Sequence, residues 1–503
     1  MKPNGNASNV GRPWVAAIIL LGIILRFVGL GAKPLWEDEG WTFHAATAPE
    51  GLIAVAGLDP HPLSFYALYR ALPAWFLETD WRFRLPSAIF SCGALLLFAA
   101  LLRLARVETR LALCSVALFA VLPLNLRYAH EARAYAAAQM LAVAVPATYV
   151  WSLRSSKPVA MIALLIATAL SAHLDGFGLA APCAVFLHAM IHRRNERRAL
   201  YAAGCIGAGA LLAIPYYVFR IRAMGGGEVH EIEPPANLLN SLASRLVELS
   251  PFGIGFDHVG AGQKWLVFVL AAIVLVVLLL GATSRRAWWS GHTRRLFVLL
   301  IVVAPAAYVA LSIALGPNLI HKKYLIVIVP GLVPIFAAGV MRLTNGRRLP
   351  MWAAMFGLPL AVSGQMLISP GERADWRSLF QQMQPEIQAG DGFIQEMQAN
   401  YPLYSFASFQ AYAYRDGIRL HRSQLLEYRP KSAGKTFSPP DVETEGVAIG
   451  DFVQSFDSGR VWTLSADWMA RGRSLDLSTL ATLRKTISAR GVSATQWATE
   501  SRP

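Results

Sequence analysis

The chain has 503 residues, 55% of them apolar and only 15% charged, with a mean hydropathy of +0.42, which excludes a string of ordinary soluble domains and points to a polytopic membrane protein. Its 46 Lys and Arg outnumber 31 Asp and Glu for a net charge of +15, but the excess is spread over short connections rather than gathered on a polar domain, which argues against a nucleic-acid partner. Cys92, Cys114, Cys183 and Cys205 lie in apolar runs without CxxC spacing and read as small core residues.

A bilayer core of about 30 Å, crossed at about 1.5 Å per residue, requires about 20 mostly apolar residues. Eleven such runs precede residue 370, at approximately 13–31, 85–102, 111–126, 134–152, 158–174, 176–191, 199–219, 265–282, 296–315, 324–341 and 350–368. The first is longer than a signal-peptide core and reads as a retained anchor. Lys and Arg are retained on the cytoplasmic side of short connections. With the N-terminus cytoplasmic, the inner segments hold 18 basic residues and two acidic ones, Glu108 and Glu196, so nearly all the net charge is a topology signal. An odd number of spans then puts residues 370–503 outside, on the face that also carries the polar segments 32–84 and 220–264.

The expected organisation is a membrane domain over 1–369, with outer loops 32–84 and 220–264, followed by a small extracytoplasmic α/β domain over 370–503. Within the first loop, residues 63–77 read as an amphipathic helix lying in the interface. Beyond Pro370, strand-like runs fall at 392–397, 447–453 and 460–464, and helical periodicity at 475–489 stops before Gly491. The Gly- and Pro-rich stretches 225–235 and 438–441 read as loops.

Four motifs have residues suited to chemistry, all on the expected outer face. Glu37, Asp38 and Glu39 place three carboxylates just beyond the first span, a costly cluster whose plain alternative is a solvated acidic turn; one of them held in a cavity suits a general base. Asp59-Pro60-His61-Pro62 opens the interfacial helix, where prolines fix the backbone and His61 could bond or ligate; ordinary helix punctuation is the alternative. The segment from Arg127 to Tyr135 covers a short outer turn, flanked by aromatics, that packs two Arg, His130 and Glu131 between two spans; were it helical, Glu131 and Tyr135 would share a face and Arg133 point elsewhere. A self-contained ion-pair cap is its bland reading. His321-Lys322-Lys323-Tyr324 is basic against the positive-inside trend and suits a lipid phosphate, with snorkelling lysines as the alternative. His173, Asp175, Asp257 and His258 are weak signals. No GxGxxG, Walker loop or HExxH occurs, which argues against a nucleotide-driven pump or an embedded zinc protease.

The order of these motifs resembles the GT-C superfamily of polytopic glycosyltransferases, in particular the protein mannosyltransferase and aminoarabinose lipid A transferase group. The residues that carry the resemblance are Trp36-Glu37-Asp38-Glu39, His61-Pro62-Leu63, His130 to Tyr135 and Lys323-Tyr324-Leu325, with Asp375-Trp376-Arg377 similar to the start of the soluble domain of bacterial members. The resemblance implies a polytopic helical fold of about eleven transmembrane helices, a polyprenyl-phosphate sugar donor and an inverting displacement at the anomeric carbon. It implies Asp38 as the base on the acceptor hydroxyl, with Glu39 as its polar neighbour. Arg133, Lys322, Lys323 and Tyr324 would bind the leaving phosphate, and Glu131, His61 and His130 would shape the site or hold a divalent metal. Metal use varies across the family and stays open. Two departures from the common pattern are Ser64, where a second proline is often found, and Lys323, where Arg is frequent; Lys still binds phosphate, as a point charge.

A lipid-linked donor also explains on physical grounds why a transferase needs so many spans, since an isoprenoid tail stays in hydrocarbon while its phosphate sits at the interface. The expected location is a plasma or bacterial inner membrane, and lipid, glycan and protein acceptors all remain open. A lipid-linked saccharide flippase is the main alternative, although transporters usually carry ionisable or helix-breaking residues near midplane and these spans hold few. A non-catalytic glycan-binding paralogue is the other. The joint presence of Asp38, Glu131 and the Lys pair favours the transferase.

Overall fold

The computed structural model of the protein describes residues 11–48, 51–53, 63–174, 178–192, 197–223, 238–253, 264–284, 288–315, 320–345, 347–368, 374–388, 391–396, 405–418, 425–428, 460–466, 482–489 and 492–498. The chain divides into two compact units: residues 1–30, 59–65 and 84–369 form the first, and residues 31–58, 66–83 and 370–503 the second. Most of the first polar loop thus groups with the C-terminal residues across the boundary at residue 369.

Every apolar run of the first unit is helical over at least part of its length. In chain order the elements are α1 (Gly11–Phe27), α2 (Glu37–Thr47), α3 (Leu63–Ala71), α4 (Asp80–Leu104), α5 (Thr109–Val121), α6 (Pro123–Ala129), α7 (Tyr135–Arg154), α8 (Pro158–Leu174), α9 (Ala180–His192), α10 (Arg197–Leu211) and α11 (Ile214–Ala223). After them come α12 (Leu238–Glu248), α13 (Lys264–Ala282), α14 (Gly291–Leu315), α15 (Lys322–Leu325), α16 (Val329–Leu343), α17 (Arg348–Trp352) and α18 (Leu358–Ile368). Among the described residues six helices are long and apolar enough to cross a membrane alone, and seven if the bent pair α5–α6 counts as one span. Three shorter apolar helices, 13–27, 158–174 and 180–192, cover further runs, and the last run is interrupted by a π segment at Ala353–Gly357. The helix expected over 63–77 is α3 followed by a 3₁₀ turn at Ala74–Leu77.

The first unit is built around α16, buried at every position from Val329 to Met341. Backbones touch where it crosses α13: a Cβ on Gly281 would lie 1.9 Å from the Ile335 carbonyl oxygen, and one on Gly339 would lie 2.0 Å from that of Val277. Only glycine permits this approach, the usual device where helices pack without a hydrophobic driving force between them.

The second unit combines α2 with α19 (Trp376–Met383), α20 (Ser405–Arg415) and a five-stranded mixed sheet in the order β2-β1-β3-β5-β4. The strands are β1 (Gly392–Glu396), β2 (Leu425–Tyr428), β3 (Arg460–Ala466), β4 (Thr482–Ala489) and β5 (Val492–Ala498); β1 pairs parallel with β2 and β3, and β5 antiparallel with β3 and β4. The buried Asp391 fixes the start of β1, accepting from Arg460 Nε at 3.0 Å and Trp462 Nε1 at 3.0 Å on the neighbouring strand. Expected strands at 392–397 and 460–464 are β1 and β3. The helix expected over 475–489 is corrected, since residues 482–489 are the edge strand β4, exposed along most of its length. Leu475, Leu477 and Leu480, which with Leu483 suggest helical periodicity, lie outside the described residues, while in the strand Thr482, Thr486 and Ile487 are β-branched and Gly491 separates two paired strands in the chain. The run 447–453 lies outside the described residues.

Candidate active site

Pro123 shapes the first charged motif from a distance. It has no N–H and cannot continue the ladder, so α5 and α6 meet at 47°. Side chains from three elements satisfy the carbonyls left by the break: Asn125 Nδ2 donates to Phe119 at 2.9 Å, Arg26 Nη1 to Ala120 at 3.1 Å and Ser363 Oγ to Val121 at 2.7 Å. The bend is therefore a fixed feature that directs α6 into residues 127–135.

The structure keeps the short turn expected in that motif. Residues 130–134 form a turn between α6 and α7, with the His130 N–H donating to the Arg127 carbonyl at 3.0 Å. Glu131, 1% exposed, pairs back one turn, accepting from Arg127 Nε at 3.2 Å, while Tyr135 opens α7. Arg133 is 2% exposed, and its guanidinium stands 6.0 Å from the Tyr135 ring, itself 4.8 Å from that of Tyr128.

The late basic motif forms α15. His321 caps it, its Nδ1 accepting from the Lys323 N–H at 3.5 Å, and Lys323 Nζ lies 5.3 Å from the centre of the Tyr324 ring. The Lys322 side chain lies outside the described parts of the chain, as do His61, Asp175, Asp257 and His258. His173 does not join these groups: its Nδ1 bonds the Ala169 carbonyl at 2.7 Å, and its own carbonyl accepts from Ser64 Oγ at 2.8 Å.

Sequence reasoning missed Arg245 and Glu248, on α12. Arg245 Nη1 donates to Glu248 Oε1 at 2.6 Å, with Glu248 only 3% exposed. α12 packs against α15, and Glu248 is near enough to Arg127 and Tyr128 for its charge to act on both. The signal was an ion pair three residues apart on an amphipathic segment, overlooked beside a Gly- and Pro-rich stretch. Within this unit Arg127 pairs with Glu131 and Arg245 with Glu248, while Arg133 lies in the same turn as Glu131 and Lys323 on the neighbouring α15. Basic side chains of this kind suit a phosphate.

Asp38 and Glu39 belong to the second unit. Glu37, Asp38 and Glu39 form the first turn of α2, where the positive end of the helix dipole offsets their mutual repulsion. Glu39 is fully buried and reaches back to accept from the Trp36 N–H at 3.4 Å, half of a capping box. Glu37 accepts from Trp376 Nε1 at 3.2 Å. Asp38, half-buried, holds its carbonyl against Thr42 Oγ1 at 3.2 Å. Such a carboxylate on a stiff helical turn can take a proton.

Among the described residues no three of His, Cys, Asp and Glu are grouped to hold a metal, so Glu131 and His130 have no described ligand set around them.

No protein-family model and no curated protein sequence matches the chain. Solved structures do. ArnT from Cupriavidus metallidurans in the apo state superimposes with a TM-score of 0.60 at 12% identity, over 97% of this chain and 98% of that one. The same protein bound to undecaprenyl phosphate gives 0.57 at 11% identity, covering 96% and 98%. The apo oligosaccharyltransferase from Archaeoglobus fulgidus gives 0.53 at 11% identity, covering 97% of this chain and 74% of that chain. At such identities the likeness is one of fold: the chain shares the fold of ArnT and of the archaeal oligosaccharyltransferase.

Proposed function

We propose that the protein is an integral-membrane inverting glycosyltransferase that moves a sugar from a polyprenyl phosphate to an acceptor on the extracytoplasmic face. The observation that supports the reading is the set of basic side chains Arg127, Arg133 and Arg245 beside the buried Glu131 and Glu248, in a chain whose fold is shared with a protein crystallised on undecaprenyl phosphate. A lipid phosphate would sit at Arg133 and Lys323, with Tyr324 beside it and Lys322 as a further cation.

In the reaction, the acceptor hydroxyl oxygen attacks the anomeric carbon while the bond from that carbon to the phosphate oxygen breaks. The electron pair leaves on the phosphate, whose growing charge the cations stabilise, and the hydroxyl proton passes to Asp38. Glu39 holds the turn that carries Asp38. Glu131 and His130 shape the phosphate side, and no step is routed through a metal.

The test is transfer from radiolabelled polyprenyl-phosphate sugars in membranes containing the protein. Wild type transfers label, and Arg133→Gln and Lys323→Ala raise the donor KM. Absence of transfer from every such donor, with net movement of lipid-linked sugar across the bilayer, would replace this reading with a flippase.

A further inference from the structure

The second unit gathers an unusual number of long-range contacts around one short helix. Gly40, in the second position after Asp38, meets the backbone of α20: a Cβ there would lie 2.4 Å from the Ser408 nitrogen and 2.6 Å from the Ala407 carbonyl carbon. Ahead of the helix, the Leu35 N–H donates to the Tyr412 hydroxyl at 2.8 Å, which in turn donates to Asp80 Oδ2 at 3.1 Å. The residues leading to α2 are held from α19, where Arg377 Nη2 donates to the carbonyls of Gly31 at 3.1 Å and Lys33 at 2.7 Å. Trp376 grips Glu37 within the acidic turn itself.

Asp80 closes this network. One carboxylate oxygen is paired with Arg377 and the other with Arg415, and Arg415 Nε also donates to the Leu77 carbonyl at 2.8 Å. The same guanidinium lies 5.5 Å from the centre of the Phe43 ring in the second half of α2, and Phe43 packs edge-on at 5.5 Å from Tyr414. The approach to α2, its first turn and its second half are therefore tied to α19 and α20, over sequence separations of more than 300 residues.

We infer that Asp80, Trp376, Arg377, Tyr412 and Arg415 are positioning residues that set the posture of α2 and so the aim of the Asp38 carboxylate. This deepens the transferase reading and rests on it for the role of Asp38. A misplacement of about 1 Å in a reacting group costs on the order of a hundredfold in rate, so loosening α2 acts on turnover, whereas the phosphate site lies on other elements.

The test uses the full-length protein in lipid nanodiscs. Arg415→Gln, Trp376→Phe and Gly40→Ala are compared with wild type for kcat, donor KM and amide hydrogen exchange, and Arg415→Lys serves as the conservative variant. The expected result is a kcat lower by about tenfold to a hundredfold with donor KM unchanged. Faster exchange should be confined to 37–47 while 329–343 stays protected, and Arg415→Lys should recover part of the loss. If Gly40→Ala is not recovered folded, Trp376→Phe, which removes one hydrogen bond and keeps the ring, carries the test. Unchanged exchange in α2, or donor KM rising in step with the fall in kcat, overturns the inference. Wild type without any transfer defeats the transferase reading alone, because exchange in the variants still decides whether α19 and α20 hold α2.

Discussion

The two units each carry a cluster of charges, closed over different ranges of the chain. Among the described residues of the membrane unit two ion pairs are local, Arg127 with Glu131 and Arg245 with Glu248. In the second unit one carboxylate, Asp80, is bound by two guanidiniums and a hydroxyl drawn from the far end of the chain. Local pairs shape the segment that carries them. A carboxylate bound from the far end of the chain ties distant elements together and is suited to holding a structure in place.

This contrast orders the expected effects of substitution. The largest is on chemistry: Asp38→Asn lowers transfer by about 10²–10⁴-fold, the usual contribution of a general base. Next, Asp80→Ala strands the partly buried guanidiniums of Arg377 and Arg415 and destabilises the second unit by at most about 3–5 kcal/mol, read as loss of exchange protection in 37–47 and 405–415. Arg133→Gln and Lys323→Ala act on the other cluster, each weakening polyprenyl-phosphate binding by about 1.5–3 kcal/mol, as a charged hydrogen bond does, with steeper losses at high salt. Equal loss of protection in the second unit for these variants would erase the distinction between the clusters.

Tyr412 has a pH signature. Burial, with the Asp80 carboxylate beside it, pushes its hydroxyl above the usual tyrosine range. Because the folded state holds the proton more tightly than the unfolded chain, the resulting stability is complete below the ordinary value of 10.0 and is lost as pH rises through the higher folded value. Exchange in 405–415 should therefore quicken on alkaline titration in wild type and much less in Tyr412→Phe. The smallest effect belongs to the exposed Lys485–Glu386 pair, where Lys485→Ala costs less than about 1 kcal/mol in thermal unfolding.

What the sequence made legible follows from range. Apolar runs of bilayer length declare helices, and each of the eleven is helical at least in part, because membrane spanning depends only on local composition. Asp38 and Glu39 stood out as charges beside a span, as did Arg133 and Lys323. The turn at 130–134 was legible because a charged stretch separates two apolar runs. β4 was misread because the periodicity came mostly from leucines ahead of it, and only Leu483 lies in the strand. Asp80 drew no notice at all: an aspartate opening a helix is ordinary capping until Arg377 and Arg415 fold onto it, and nothing local announces partners nearly 300 residues or more away.

The central claim is that Asp38 takes the acceptor proton in a lipid-dependent transfer. The most direct measurement compares wild type and Asp38→Asn, at matched expression, for transfer from a radiolabelled polyprenyl-phosphate sugar and for binding of the same donor. The account predicts that transfer collapses while donor binding stays within about twofold, because the phosphate site lies on other residues. Undiminished transfer by Asp38→Asn would contradict it.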